Sequence, residues 1–83
     1  MVTRKLRNDD RRFLKALGAK IRHCILEERK YSSLDAFYLE YHDLIAKPTL
    51  YQICEGKRDM KLSTLRGLAK ALDMTLTELL DIS

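Results

Sequence analysis

Proline occurs once in this chain of 83 residues, glycine three times and tryptophan not at all. A chain so poor in turn formers is neither collagen-like nor loop-rich. Two cysteines are too few for a disulfide framework. They point to a reducing compartment, expected here to be the cytoplasm. No apolar run approaches the roughly 18 residues that read as a membrane-spanning helix. Residues 1–12 hold no apolar segment of the kind a secretory signal needs. At 83 residues the chain can bury one hydrophobic core and not two.

The local motifs of catalysis are missing as well. There is no Gly-rich phosphate loop, no His-Glu-x-x-His and no Cys-x-x-Cys. A zinc site would have to draw on His23, Cys24, His42 and Cys54. Only the first two are close in sequence, and neighbours on a helix diverge by about 100°. The expectation is no enzyme, no metal and no cofactor. Cys24 and Cys54 then read as small buried hydrophobes, and His23 and His42 as helix-surface residues.

What is present is charge in blocks. Residues 1–30 carry 10 basic and 4 acidic side chains. Residues 31–46 hold Asp35, Glu40 and Asp43 and nothing basic. Residues 47–70 return to 6 basic and 2 acidic, and residues 71–83 are acidic again. Basic surface separated by acidic surface favours a polyanionic partner.

Apolar periodicity is helical throughout, with no two-residue alternation. Residues 1–8 read as a basic arm and 9–83 as the folded domain. Asn8 is placed to cap a first helix over 9–29, with Asp9 and Asp10 at its positive end. Leu14, Leu17, Ile21, Cys24 and Ile25 form its stripe. Gly18 interrupts it at a cost of about 1 kcal/mol, which a close helix contact would explain. Ser32 and Asp35 have capping-box spacing before Leu34, Phe37, Tyr38 and Tyr41. That aromatic stripe reads as core, with a partner surface as the other option. Residues 42–46 read as a turn. Pro48 suits the first position of a third helix, with Leu50, Ile53 and Cys54 inward. Thr49, Gln52 and Glu55 face outward, and Gly56 supplies the positive φ that commonly ends a helix. A fourth helix opens at Leu62 or Ser63, with Leu65, Leu68, Ala69 and Leu72 as its stripe. Thr75 and Glu78 form a capping box for a short last helix with Leu76, Leu79, Leu80 and Ile82. The sum is an all-α bundle of five helices.

The segment Leu50-Tyr51-Gln52-Ile53-Cys54-Glu55-Gly56-Lys57-Arg58, continued by Leu62-Ser63-Thr64-Leu65 and Gly67-Leu68-Ala69-Lys70-Ala71-Leu72, resembles the helix-turn-helix family of phage repressors and Cro proteins, the XRE family. The match is specific over residues 46–80 and looser over 13–45. The resemblance implies a five-helix bundle with a helix-turn-helix motif and a recognition helix over 47–55 in the major groove of double-stranded DNA. It implies base contacts from Lys47, Pro48 and Gln52. Backbone contacts would come from Thr49, Tyr51, Lys57, Arg58, Lys61 and Thr64. A small transcription repressor is the implied role. A two-fold homodimer is the implied assembly, touching through Leu79, Leu80, Ile82 and the second helix.

The sequence departs from that family at several points. Ser32-Ser33-Leu34, or Ser33-Leu34 one residue later, stands where a Ser/Thr-Gln pair usually opens the second helix. Cys54 and Glu55 stand where Glu and Arg precede the glycine. Met60 replaces the usual proline after the basic loop. Asp35, Glu40 and Asp43 add negative charge beside the groove. The residues therefore leave a second reading open: the same fold as a protein-interaction module, such as an antitoxin-like subunit with a protein partner.

Overall fold

The stripe expected for the first helix is buried along its whole length, from Leu14 to Ile25, in the computed structural model, which describes residues 8–81. The basic arm expected over residues 1–8, the capping side chain of Asn8, the contribution of Asp9 and the apolar role of Ile82 lie outside the described residues. The described chain is helical and contains no strand. Its helices are α1 (Asn8–His23), α2 (Leu34–Glu40), α3 (Lys47–Cys54), α4 (Leu62–Ala71) and α5 (Leu76–Leu80).

α1 does not end as a regular α-helix at Arg29. Its last turn, Cys24–Glu28, is a π-helix closed by the Arg29 amide donating to the Cys24 carbonyl at 2.8 Å. Cys24 and Ile25 both face the core there, as the stripe predicts. Apolar spacing carries no sign of the wider turn. Lys30 then turns the chain with a left-handed backbone.

The expected cap of α2 moves by one residue. Ser33, not Ser32, is the N-cap, and its Oγ accepts from the Ala36 amide at 3.1 Å. With Ser33 as the N-cap, Asp35 stands one residue short of the capping-box position, which Ala36 occupies. Pro48 occupies the second rather than the first helical position of α3, after the extended Ala46. Either place leaves unpaired an amide that the helix start could not use. The second capping box forms as expected, Thr75 Oγ1 accepting from the Glu78 amide and Glu78 Oε1 from the Thr75 amide. The Asp73 break is real, with a left-handed φ of 58°.

The core gathers Leu17, Ile21, Ile25, Phe37, Leu50, Ile53, Leu68 and Leu79, each buried. Phe37 meets Tyr31 edge-on at 5.3 Å and Tyr41 at 4.8 Å. So the aromatic stripe of α2 is core, with Tyr38 and Tyr41 half-buried on its rim. Leu79 is fully buried in its own chain, so it is a core residue and not the dimer contact expected of it. Lys20 on α1 donates to the carbonyls of Glu78 and Asp81 (2.6 Å for the second), which ties the end of α5 to α1. A cation there also suits the negative end of a helix. Both cysteines are buried and free, as expected, and burial pushes the Cys54 thiol up to about 11. His23 and His42 are exposed.

Candidate nucleic-acid interface

α3 is amphipathic in a way that decides which side chains can meet a ligand. Leu50, Ile53 and Cys54 point into the core, while Lys47, Pro48 and Gln52 are exposed together on the outer side. Three contacts hold that helix in place. At its middle, Tyr51 Oη donates to Asp35 Oδ1 at 2.7 Å, bridging α3 to α2. At its end, the carbonyls of Ile53 and Cys54 lie directly over Gly18 of α1. Just beyond, Gly56 adopts φ 72° and presses on the backbone of Lys15. Tyr51, expected near the DNA backbone, thus spends its hydroxyl on Asp35.

The expected contact residues divide into distinct groups. Thr49, Arg58, Lys61 and Thr64 come together around one hollow of about 280 Å³, with Ala46 and Met60. Lys57 turns away from them into a cleft of about 320 Å³ lined by Arg11, Lys15 and Gly56. The remaining basic residues of the same block, Arg66 and Lys70, line a third cleft with Asp73, Thr75 and Glu78. Arg11 and Lys15 were invisible as partners of Lys57 in the sequence, because more than forty residues separate them from it. Their spacing of four, on one face of α1, was the available signal.

The N-termini around the first hollow differ from the others. α2 and α5 each have a side-chain cap and an acid in the first turn. α3 and α4 have neither, and a lysine stands at the start of each, Lys47 and Lys61. Uncapped amides and the positive end of a helix dipole attract anions such as phosphate.

Three side chains of the interface already hold partners. Arg58 Nη1 donates to Gln52 Oε1 at 2.9 Å, which orients the Gln52 amide from the adjoining loop. Lys57 Nζ lies 3.8 Å from Glu55, an exposed pair of small energetic weight. Lys47 Nζ lies 3.3 Å from Asp35 Oδ1, so it must leave Asp35 to reach a base. The loop itself is ordered by Asp59 Oδ1, which accepts from the Met60 amide at 2.8 Å.

The hydrogen bond from Tyr51, and then Lys47, hold the Asp35 carboxyl below its ordinary value, and the same bond to Asp35 raises the Tyr51 hydroxyl above its own. A carboxyl depressed by folding stabilises the fold above its unfolded pKa of about 3.9. That contribution disappears as pH falls through the folded value. Asp35→Asn should therefore melt below wild type at neutral pH, and the gap should close under acid. Melting midpoints of both proteins from about pH 7 to about pH 2.5 test this. A gap that stays constant would remove Asp35 as the tie between α2 and α3.

Among the described residues no group of three or more His, Cys, Asp or Glu could hold a metal ion, and no helix is long and apolar enough to cross a membrane. Residues 25–83 match the family described as the Cro/C1-type HTH DNA-binding domain, from the π turn through α5. No curated protein and no solved structure gives a significant match.

Proposed function

The chain belongs to the Cro/C1-type helix-turn-helix DNA-binding domains, and from that premise we propose that it binds duplex DNA sequence-specifically, with α3 in the major groove, as a small transcription repressor. The observation that carries this reading is the joint placement of an exposed Lys47–Pro48–Gln52 face and the Arg58–Lys61 hollow beside it. Gln52 can pair bidentately with adenine through its amide, and Lys47 can donate to guanine. Arg58 and Lys61, with the open amides of α3 and α4, suit backbone phosphates. Thr49 and Thr64 add hydroxyl donors in the same hollow. Lys57 meets phosphate from the other end of α3. Regulation would come from occupying a promoter or touching polymerase. A two-fold dimer would place half-sites about 34 Å apart.

The roles separate by experiment. Selection from a randomised duplex library supplies a preferred site. Gln52→Ala should lose about 1–3 kcal/mol on that site and little on a scrambled duplex. Lys57→Ala should weaken both duplexes alike and lower the salt slope by about one unit. If both variants behave identically on both duplexes, α3 is not the reading helix. Wild type without duplex affinity at low salt would instead support the protein-interaction module.

A further inference from the structure

We propose that the cleft between α1 and the turn after α3, built from Arg11, Lys15 and Lys57, is a second site for the phosphate backbone of duplex DNA, flanking the bases that α3 reads. The inference rests on the DNA-binding reading of α3. It extends that reading to a helix half lying outside residues 25–83, the part matched to the family.

The cleft is assembled by backbone contact. Arg11 and Lys15 are four apart on α1 and so share a face. Gly56 has no side chain, and its turn packs so closely that a Cβ there would sit 2.5 Å from the Lys15 Cα. That packing brings Lys57 alongside the two α1 cations. Among the described residues the cleft is lined by Arg11, Lys15, Gly56 and Lys57, three of them cations. The three cations are exposed. Lys57 has an acidic neighbour, Glu55 at 3.8 Å, and Asp10 directly precedes Arg11 in the chain.

Gathering like charges has a cost. A single like-charge pair at this helical spacing destabilises by about 0.2–0.5 kcal/mol. Neither Arg11 nor Lys15 is in any of the ion pairs seen among the described residues. A polyanion offsets that cost, because each neutralised phosphate releases a counterion. The planar fork of Arg11 suits two phosphate oxygens, and the lysines act as point charges.

Position adds to the chemistry. The Arg58–Lys61 hollow includes Ala46 and Thr49, at the start of α3. The Arg11–Lys15–Lys57 cleft lies past its end, at Gly56. The hollow runs along α3 from Ala46 to Ile53 and takes in Asp59 as well as Arg58 and Lys61, whereas the cleft adds three cations beyond the end of the helix. An eight-residue helix is about 12 Å long, close to the width of the major groove. A helix lying in that groove directs its two ends toward the two phosphate strands.

The test compares salt dependence. Wild type, an Arg11→Gln/Lys15→Gln double variant and an Arg66→Gln/Lys70→Gln charge control are titrated on the selected duplex and on a random duplex. Salt runs from about 50 to about 200 mM. The Arg11/Lys15 variant should lower the slope of log K against log salt by nearly two units, at about 0.9 per phosphate contact. Affinity should fall tenfold or more on both duplexes, with their ratio unchanged. Its melting midpoint should equal or exceed that of wild type, because repulsion is relieved. Arg11→Lys/Lys15→Arg should restore the slope. A slope equal to wild type, or a loss matched by the charge control, overturns the second site while leaving α3 in place. Wild type that binds neither duplex overturns the reading of α3 and this site with it.

Discussion

Gly18→Ala should lower the melting midpoint by about 10 °C, against the usual effect of that substitution in a helix. Helix propensity alone favours alanine over glycine by about 1 kcal/mol. At Gly18 the added carbon would collide with the carbonyl oxygen of Ile53. It would also lie 2.8 Å from the carbonyl oxygen of Cys54. These are backbone atoms, so no rotamer change can make room. α1 and α3 would have to separate, opening the core around Leu17, Ile21 and Ile53. Overpacking of this kind costs typically about 1–3 kcal/mol and sometimes more. Collision with two backbone oxygens puts the cost at the upper end of that range, so that with the propensity gain of about 1 kcal/mol subtracted a net loss of about 2 kcal/mol remains. In a domain of this size that is a shift of roughly 8–16 °C. A midpoint that rises in a thermal scan would mean that the two helices do not meet at Gly18.

Gly56→Val should cost more, about 3 kcal/mol. Its φ of 72° is left-handed, where an ordinary L-residue is strained by about 1–2 kcal/mol and a β-branched one is a genuine outlier. The new Cβ would also lie 2.5 Å from the Lys15 Cα and 2.9 Å from its amide nitrogen. Strain and collision add because neither can be relieved without moving the loop off α1. Gly56→Asn separates them, since asparagine tolerates the left-handed region but keeps the added carbon. Denaturant midpoints should fall in the order wild type, Asn, Val. Equal midpoints for wild type and Val would place the end of α3 elsewhere.

Both glycines act on the same junction, the seat of α3 against α1. That junction carries the exposed Lys47–Gln52 face and the loop with Lys57 and Arg58. Stability and binding are therefore coupled through it. A substitution that shifts α3 should change DNA affinity without touching a contact residue.

Local information in the sequence was enough for the helices and for much of the site. Apolar residues three and four apart specify buried stripes because a helix repeats every 3.6 residues, and Leu14 to Ile25 and Leu68 to Leu72 follow that rule. Thr75 with Glu78, the stop at Gly56 and the break at Asp73 are short-range chemistry, and each stands where the sequence places it. The outward face of α3 was legible for the same reason. Tertiary packing decided the rest. Capping-box spacing paired Ser32 with Asp35, yet Ser33 caps α2 and the Asp35 carboxylate meets Tyr51 and Lys47 of another helix. Leu79 looked like a surface contact on a short terminal helix, yet α5 folds back and buries it. Lys57 and Arg58 are sequence neighbours, but the left-handed turn at Gly56 directs Lys57 toward Arg11 and Lys15 while Arg58 stays beside Gln52. Periodicity says which side of a helix is buried; only the docking of α1 on α3 says which distant charges share a surface.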